Sequence, residues 1–129
     1  MLNPLFSDLT YKIRGCFFTV YNGLGTGHKE NIYERALAKE LVKVGLKFVE
    51  QKSLDVLYDG EKIGVYKPDF VVDDKIILEI KANEINFWKF EKQLVYYLKN
   101  TGYKLGFIVN FGSRPLLIKR KILDGTGSV

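Results

Sequence analysis

The sequence predicts an α/β fold in which helices flank a mixed β-sheet. Apolar residues recur at helical spacing in three segments, and the stretch between the second and third segments is rich in β-branched residues and turn signals. A short apolar segment, suited to a buried strand, follows the third helix. The resulting order of helix, helix, strands, helix and strand is typical of a sheet covered by helices. The length of 129 residues suits one domain, so we predict a single domain over residues 1–129.

Each predicted helix has an apolar stripe and ends near a glycine, which favours helix termination. The three helices are predicted over residues 7–22, 28–44 and 86–100. Five residues of the second helix are expected to face the core: Ile32, Ala36, Leu37, Leu41 and Val44.

The predicted strands are short and are separated by turn residues. Asp59 and Gly60 form a typical hairpin turn between two of them. The strands before the third helix are expected to pair mostly antiparallel. The predicted strand regions are residues 47–58 (one or two extended pieces), 62–72, 76–82, 105–110 and, as an edge strand, 116–122.

The composition excludes several classes of protein. With 47% hydrophobic and 14% aromatic residues, the chain can form a packed core, unlike a disordered or collagenous chain. No apolar run approaches the ~20 residues that span a bilayer, and the first ten residues lack signal-peptide character, so we expect no membrane partner. The single cysteine, Cys16, cannot form an internal disulfide, and we expect a cytoplasmic location. The net charge of +5 permits a nucleic-acid partner without requiring one.

The segment from residue 67 to residue 81 predicts a hairpin whose register follows from burial. Phe70 and Val72 lie on one face of the first strand, as alternate residues of a strand do. Ile76 and Leu78 lie on one face of the second. Both pairs belong in the same core, so Val72 should pair with Ile76 and Phe70 with Leu78.

This register places two carboxylates opposite each other. Asp69 and Glu79 then lie on the face away from that core, with Lys81 beside them. Two carboxylates this close repel each other unless a cation lies between them, and oxygen ligands suit Mg²⁺ or Mn²⁺. The alternative is an exposed strand face with alternating charges, in which Lys81 pairs with Glu79.

Three motifs in the chain resemble a known family. Pro68-Asp69 followed by Glu79-Ile80-Lys81 resembles the PD-(D/E)XK nuclease signature. The segment from Gly27 to Tyr33 fits the GxxExxY pattern of a small branch of that superfamily. The segment from Gln93 to Tyr97 fits the QxxxY motif of its RecB-like and lambda-exonuclease-like branches.

The resemblance implies a restriction-endonuclease-like fold and a role for each matched residue. Glu30, Asp69 and Glu79 would be metal-binding and catalytic carboxylates, with the backbone carbonyl of Ile80 as a further ligand. Lys81 would orient or activate the attacking water.

Four residues are candidates for substrate binding. In the family, Gln93 and Tyr97 would support the site or contact the substrate phosphate. Tyr33 shares a helix face with Glu30, and the alternative is that Glu30 is a first-turn acid favoured by the helix dipole while Tyr33 is merely half-buried. Lys92 belongs to a row of basic and aromatic residues on the third helix, which suits either nucleic-acid binding or a solvated lysine face. That row is Trp88, Lys89, Lys92, Tyr96 and Lys99.

The sequence therefore predicts a nuclease that hydrolyses phosphodiester bonds of nucleic acid, with DNA as the expected substrate and Mg²⁺ or Mn²⁺ as the cofactor. Two alternatives keep the same fold without catalysis: a nucleic-acid-binding module and a protein-interaction module. Convergence of the predicted acids and the lysine in one pocket would favour the nuclease. A homodimer is left open.

Overall fold

The computed structural model describes residues 5–83 and 85–123. Within these residues the helices are α1 (Ser7–Leu24), α2 (Glu30–Lys43) and α3 (Phe87–Thr101). The strands are β1 (Phe48–Glu50), β2 (Leu54–Tyr58), β3 (Glu61–Tyr66), β4 (Phe70–Val72), β5 (Ile76–Lys81), β6 (Leu105–Asn110) and β7 (Leu117–Ile122). None of the helices in the described ranges combines the length and the apolar character needed to cross a bilayer.

Five of the strands form one mixed sheet in the order β1-β4-β5-β6-β7. Strands β5 and β6 pair in parallel, and the other neighbours pair antiparallel. The parallel pair requires a crossover connection, which α3 provides. Strands β2 and β3 form a separate antiparallel hairpin.

The two faces of the sheet carry separate apolar layers. Helices α1 and α2 pack on one face, where Leu78 and Ile80 of β5 are fully buried. Helix α3 and the β2–β3 hairpin cover the other face, where Ile77 of β5 meets Leu94 and Leu98 of α3. Strand β5 therefore lies between two layers, which explains its nearly continuous apolar sequence.

Most predicted elements are confirmed. Each helix lies within two residues of its predicted bounds, and β6 has the predicted bounds. The hairpin register is also confirmed, because Val72 pairs with Ile76 and Phe70 pairs with Leu78. Cys16 is buried in α1, as expected of a small apolar side chain.

Two local predictions are wrong. Residues 62–72 do not form one strand, since β3 ends at Tyr66 and β4 begins at Phe70 in a different sheet. The intervening Pro68 has no backbone N–H to donate to a strand ladder, which favours the break. The buried row of α2 is Tyr33, Leu37 and Leu41. Ile32 lies next to this row, and its side chain is 40% exposed. Val44 follows the end of α2 and is exposed to the same degree.

Candidate active site

Asp69 and Glu79 meet at the start of β4, on the α3 side of the sheet. The backbone N–H of Asp69 donates to Glu79 Oε1 at 3.1 Å. The backbone N–H of Ile80 donates to Asp69 Oδ2 at 2.7 Å. These two bonds fix both carboxylates against the backbone of the opposite strand. The juxtaposition predicted from the hairpin register is therefore present.

Glu79 is also held by a tyrosine that the sequence did not indicate. The hydroxyl of Tyr66 donates to Glu79 Oε2 at 2.6 Å. The Tyr66 ring stacks on the Tyr97 ring of α3, with the centroids 3.6 Å apart and the planes 2° from parallel. Tyr97 thus supports the site through Tyr66.

Helix α2 contributes two carboxylates to the same region. Glu30 and Glu34 are four residues apart, so both lie on one helix face. Ligand oxygens of Glu30, Glu34 and Asp69 all lie within 4.8 Å of one another. Glu34 is absent from the predicted set, although its spacing from Glu30 is a signal that could have identified it.

Burial, together with the charges of neighbouring carboxylates, raises the pKa values of Glu30, Glu34 and Glu79. Burial, a hydrogen bond with Asp69 and the charges of nearby acids raise the pKa of Glu34 to about 8. Burial and the charge of Asp69 raise the pKa of Glu79 to about 7, against the opposing effects of Tyr66, the Asp69 N–H and Lys81. Burial likewise raises the pKa of Glu30. A proton or a cation is therefore needed to relieve the repulsion near neutral pH.

Lys81 and Gln51 complete the polar surroundings. Lys81 favours the charged forms of Glu30 and Glu79 electrostatically, and its Nζ lies 4.0 Å from the centroid of the Phe90 ring. Gln51 Nε2 donates to Asp69 Oδ1 at 3.3 Å. The alternative of a plain exposed strand face does not describe this arrangement, because Glu79 is half-buried and bonded to Tyr66.

A family model of the PD-(D/E)XK nuclease superfamily matches residues 7–121. The chain belongs to the PD-(D/E)XK nuclease superfamily. Its mixed sheet flanked by helices is the predicted restriction-endonuclease-like α/β fold. Among curated proteins, no sequence matches the chain significantly.

One solved structure similar to this member of the superfamily is an alkaline exonuclease, LHK-Exo, from Laribacter hongkongensis. The two share 17% sequence identity, with a TM-score of 0.46. The match covers 74% of this chain and 57% of the exonuclease chain.

Within this nuclease-family chain, Tyr33 does not face the site as a substrate-binding residue would. Its side chain is fully buried, and its hydroxyl donates to the Gly25 carbonyl at 2.6 Å. Its ring stacks on Phe111 at 4.6 Å. In this structure Tyr33 anchors the loop that leads into α2, and it is more deeply buried than the half-buried alternative expected.

The other candidates occupy different positions around α3 and β5. Gln93 and Lys92 are exposed on α3. The side chain of Ile80 is buried in the core, and its backbone N–H is the donor to Asp69 described above.

The acidic residues fit a divalent cation by their chemistry. Mg²⁺ and Mn²⁺ prefer carboxylate and water oxygens over nitrogen or sulfur ligands. The cluster of Glu30, Glu34 and Asp69 supplies such oxygens from two separate elements, within the spread that one ion can bridge. Burial and the neighbouring negative charges raise the pKa values of Glu30 and Glu34, so a bound cation would favour their charged forms.

Proposed function

We propose that this member of the PD-(D/E)XK superfamily is a nuclease that hydrolyses phosphodiester bonds of DNA and depends on Mg²⁺ or Mn²⁺. The observation that carries the proposal is the carboxylate cluster of Glu30, Glu34 and Asp69, with Glu79 and Lys81 beside it. The Gly27-to-Tyr33 motif supports placing the chain in the GxxExxY branch.

In the proposed site, Asp69, Glu30 and Glu34 would hold the cation, and Glu79 and the Ile80 carbonyl would be further ligands from β5. A bound divalent cation would polarise the phosphate and lower the pKa of a water molecule. Asp69 would be the central ligand, because it lies between the carboxylates of α2 and strand β5. Its Oδ2 is fixed by the Ile80 N–H, and its carboxylate lies within reach of Glu30 and Glu34.

Lys81 has two roles in this proposal. Its ammonium orients the attacking water and offsets the negative charge that develops on the phosphate. Its Nζ lies over the Phe90 ring, 4.0 Å from the centroid, and this contact limits where the ammonium can point. A positioned cation is more effective in this role than a mobile one.

The proposal is tested with a nuclease assay on single-stranded and duplex DNA, with Mg²⁺, with Mn²⁺ and with EDTA. We expect Asp69→Asn and Lys81→Ala each to reduce cleavage roughly 10²-fold or more, because each removes a charge used in the transition state. Matched controls are Asp73→Asn and Lys75→Ala, which change the same residue types in the turn of the same hairpin. Equal activity of all five proteins would indicate a contaminating nuclease and contradict the proposal.

A non-catalytic nucleic-acid-binding module is the second candidate, favoured by the exposed lysines of α3. It predicts salt-sensitive binding of DNA. It also predicts no cleavage with any divalent cation, so the same assay separates the two functions.

A further inference from the structure

Helix α3 exposes a row of aromatic and basic side chains. Trp88, Lys92 and Tyr96 are spaced by four residues, so they follow one another along the helix surface. Lys99 continues the row, and Lys89 lies beside it. We call these five residues the α3 surface. At 1.5 Å per residue it extends about 16 Å along the helix.

The rings of the α3 surface are unusually open to solvent. Trp88 is 60% exposed and Tyr96 is 52% exposed. Lys92 Nζ lies 6.0 Å from the centroid of the Tyr96 ring, so a cation and an aromatic ring alternate along the row. Large aromatic rings bury apolar area in most folds, and here two remain free to contact a partner.

The α3 surface also lacks negative charge. The one acidic residue of α3 is Glu91, which lies outside the row and pairs with Lys121 at 3.1 Å. Lys89, Lys92 and Lys99 form no ion pair with another described residue. Their charge is therefore complementary to a polyanion.

The opposite flank of the same helix forms a wall of the proposed active site. Phe90 lies under Lys81, and Tyr97 stacks on Tyr66, which binds Glu79. The α3 surface and the proposed active site therefore lie on opposite flanks of one helix.

We propose that the α3 surface binds single-stranded nucleic acid. As an assignment of the substrate class, this inference rests on the proposed nuclease function. Stacking on aromatic rings requires a base with an open face, and base pairs within a duplex hide their faces. Lysines alone would suit the backbone of either form. The exposed rings of Trp88 and Tyr96 decide in favour of the single strand.

The test measures binding without cleavage, in EDTA, using a fluorescein-labelled oligothymidine and a duplex of the same length. Trp88 is the sole tryptophan of the chain, so its fluorescence reports directly on stacking. We expect the oligothymidine to quench this fluorescence and to bind more tightly than the duplex. We expect Trp88→Ala to weaken binding of the single strand about tenfold in fluorescence anisotropy, the effect of losing one stacked base. Trp88→Phe should retain most of the affinity.

The lysines are tested through the salt dependence of the same binding. Replacing Lys89, Lys92 and Lys99 together by alanine should reduce the slope of log K against log salt by about 2, at ~0.7 per phosphate contact. The matched controls are the variants Tyr11→Ala and Lys12→Ala. They change exposed residues of α1, on the opposite side of the sheet, and should bind the single strand as tightly as the native protein does.

The outcomes separate this inference from the proposed function. Equal or tighter binding of the duplex, or unchanged binding by Trp88→Ala, overturns the inference even if the native protein cleaves DNA. Loss of single-strand binding in the α3 variants supports the inference even if no cleavage occurs with any cation, which would contradict only the nuclease proposal.

Discussion

The two faces of strand β5 differ in chemistry and in role. Leu78 and Ile80 point into the layer formed with α1 and α2 and are fully buried. Glu79 and Lys81 point the other way and are half-buried among polar and aromatic partners. Alternate residues of one strand thus serve the fold and the proposed site separately. Substitutions on the two faces should therefore separate stability from activity.

The largest effects are expected from a pair of neighbouring substitutions. Leu78→Ala removes a fully buried side chain and should lower the free energy of unfolding by roughly 2–5 kcal/mol. Glu79→Gln should abolish most cleavage, because it removes the charge beside Asp69, while the protein stays folded. Urea denaturation and the nuclease assay measure the two effects.

The proposed separation of stability and activity between the two faces of β5 is contradicted if Glu79→Gln destabilises the protein as much as Leu78→Ala does. It also fails if Glu79→Gln retains native cleavage. Ile76→Val, a milder change on the buried face, serves as a control for the denaturation measurement and should cost roughly 0.5–1.5 kcal/mol.

The next effect concerns the hydroxyl of Tyr66, which acts through Glu79. Tyr66→Phe keeps the ring that stacks on Tyr97 and removes only the hydrogen bond to Glu79. Groups that orient ligands in this way typically contribute 10–100-fold to metal affinity or activity, and we expect a loss in about that range. The pKa of Glu79 should also rise, since the Tyr66 bond lowers it in the native protein.

This positioning role is distinguished from a merely structural one by the pH profile of cleavage. A rise in the pKa of Glu79 should move the acidic limb of the profile of Tyr66→Phe toward higher pH. An equal loss of activity at every pH, together with a lowered melting temperature, would indicate that the hydroxyl serves folding instead.

Much of the fold could be predicted because its signals are local. The helical stripes, the glycine stops and the alternation in β5 each depend on a few adjacent residues. The register of the β4–β5 hairpin followed from burial alone, and it correctly brought Asp69 opposite Glu79.

The features that the sequence did not reveal depend on contacts between distant elements. Tyr66 reaches Glu79 only because the chain leaves the β2–β3 hairpin at Lys67 and Pro68 and enters the main sheet, whereas a continuous strand was expected. Glu34 became visible only when α2 was placed beside Asp69. Tyr33 matches a family motif, yet the motif does not state that its ring is buried.

A smaller effect is expected on the stability of the metal-free protein. Glu34 and Glu79 have folded pKa values of about 8 and about 7, above the usual value of 4.5. Raised values mean that the folded state favours the protonated form, so the stabilisation is complete below about pH 4.5 and is lost as the pH rises through 7 to 8. In EDTA the melting temperature should therefore fall between about pH 4.5 and pH 8. Added Mg²⁺ should reverse the fall at high pH, since a cation offsets the repulsion.

Glu34→Gln isolates this contribution, because it removes a titrating group while keeping a side chain of similar size. Its melting temperature in EDTA should depend less on pH than that of the native protein. The matched control is Glu61→Gln on the exposed end of the β2–β3 hairpin, which should follow the native curve. Identical curves for all three proteins, with no effect of Mg²⁺, would contradict the electrostatic account of the carboxylate cluster.

The smallest effect is expected at the turn of the β4–β5 hairpin, where the pH dependence of stability has the opposite sign. The pKa of Asp74 lies below its usual value of 3.8, because the Tyr103 hydroxyl and Lys52 donate hydrogen bonds to its carboxylate. A lowered pKa stabilises the fold above about pH 4, and this contribution is lost as the pH falls through the folded pKa. Asp74→Asn should therefore melt slightly below the native protein at about pH 6, and the difference should shrink as the pH falls below about 4 and vanish below the folded pKa. Asparagine tolerates the positive φ of 51° at this position, so backbone strain does not enter the comparison. A difference that persists unchanged at low pH would show that the turn depends on something other than the charge of Asp74.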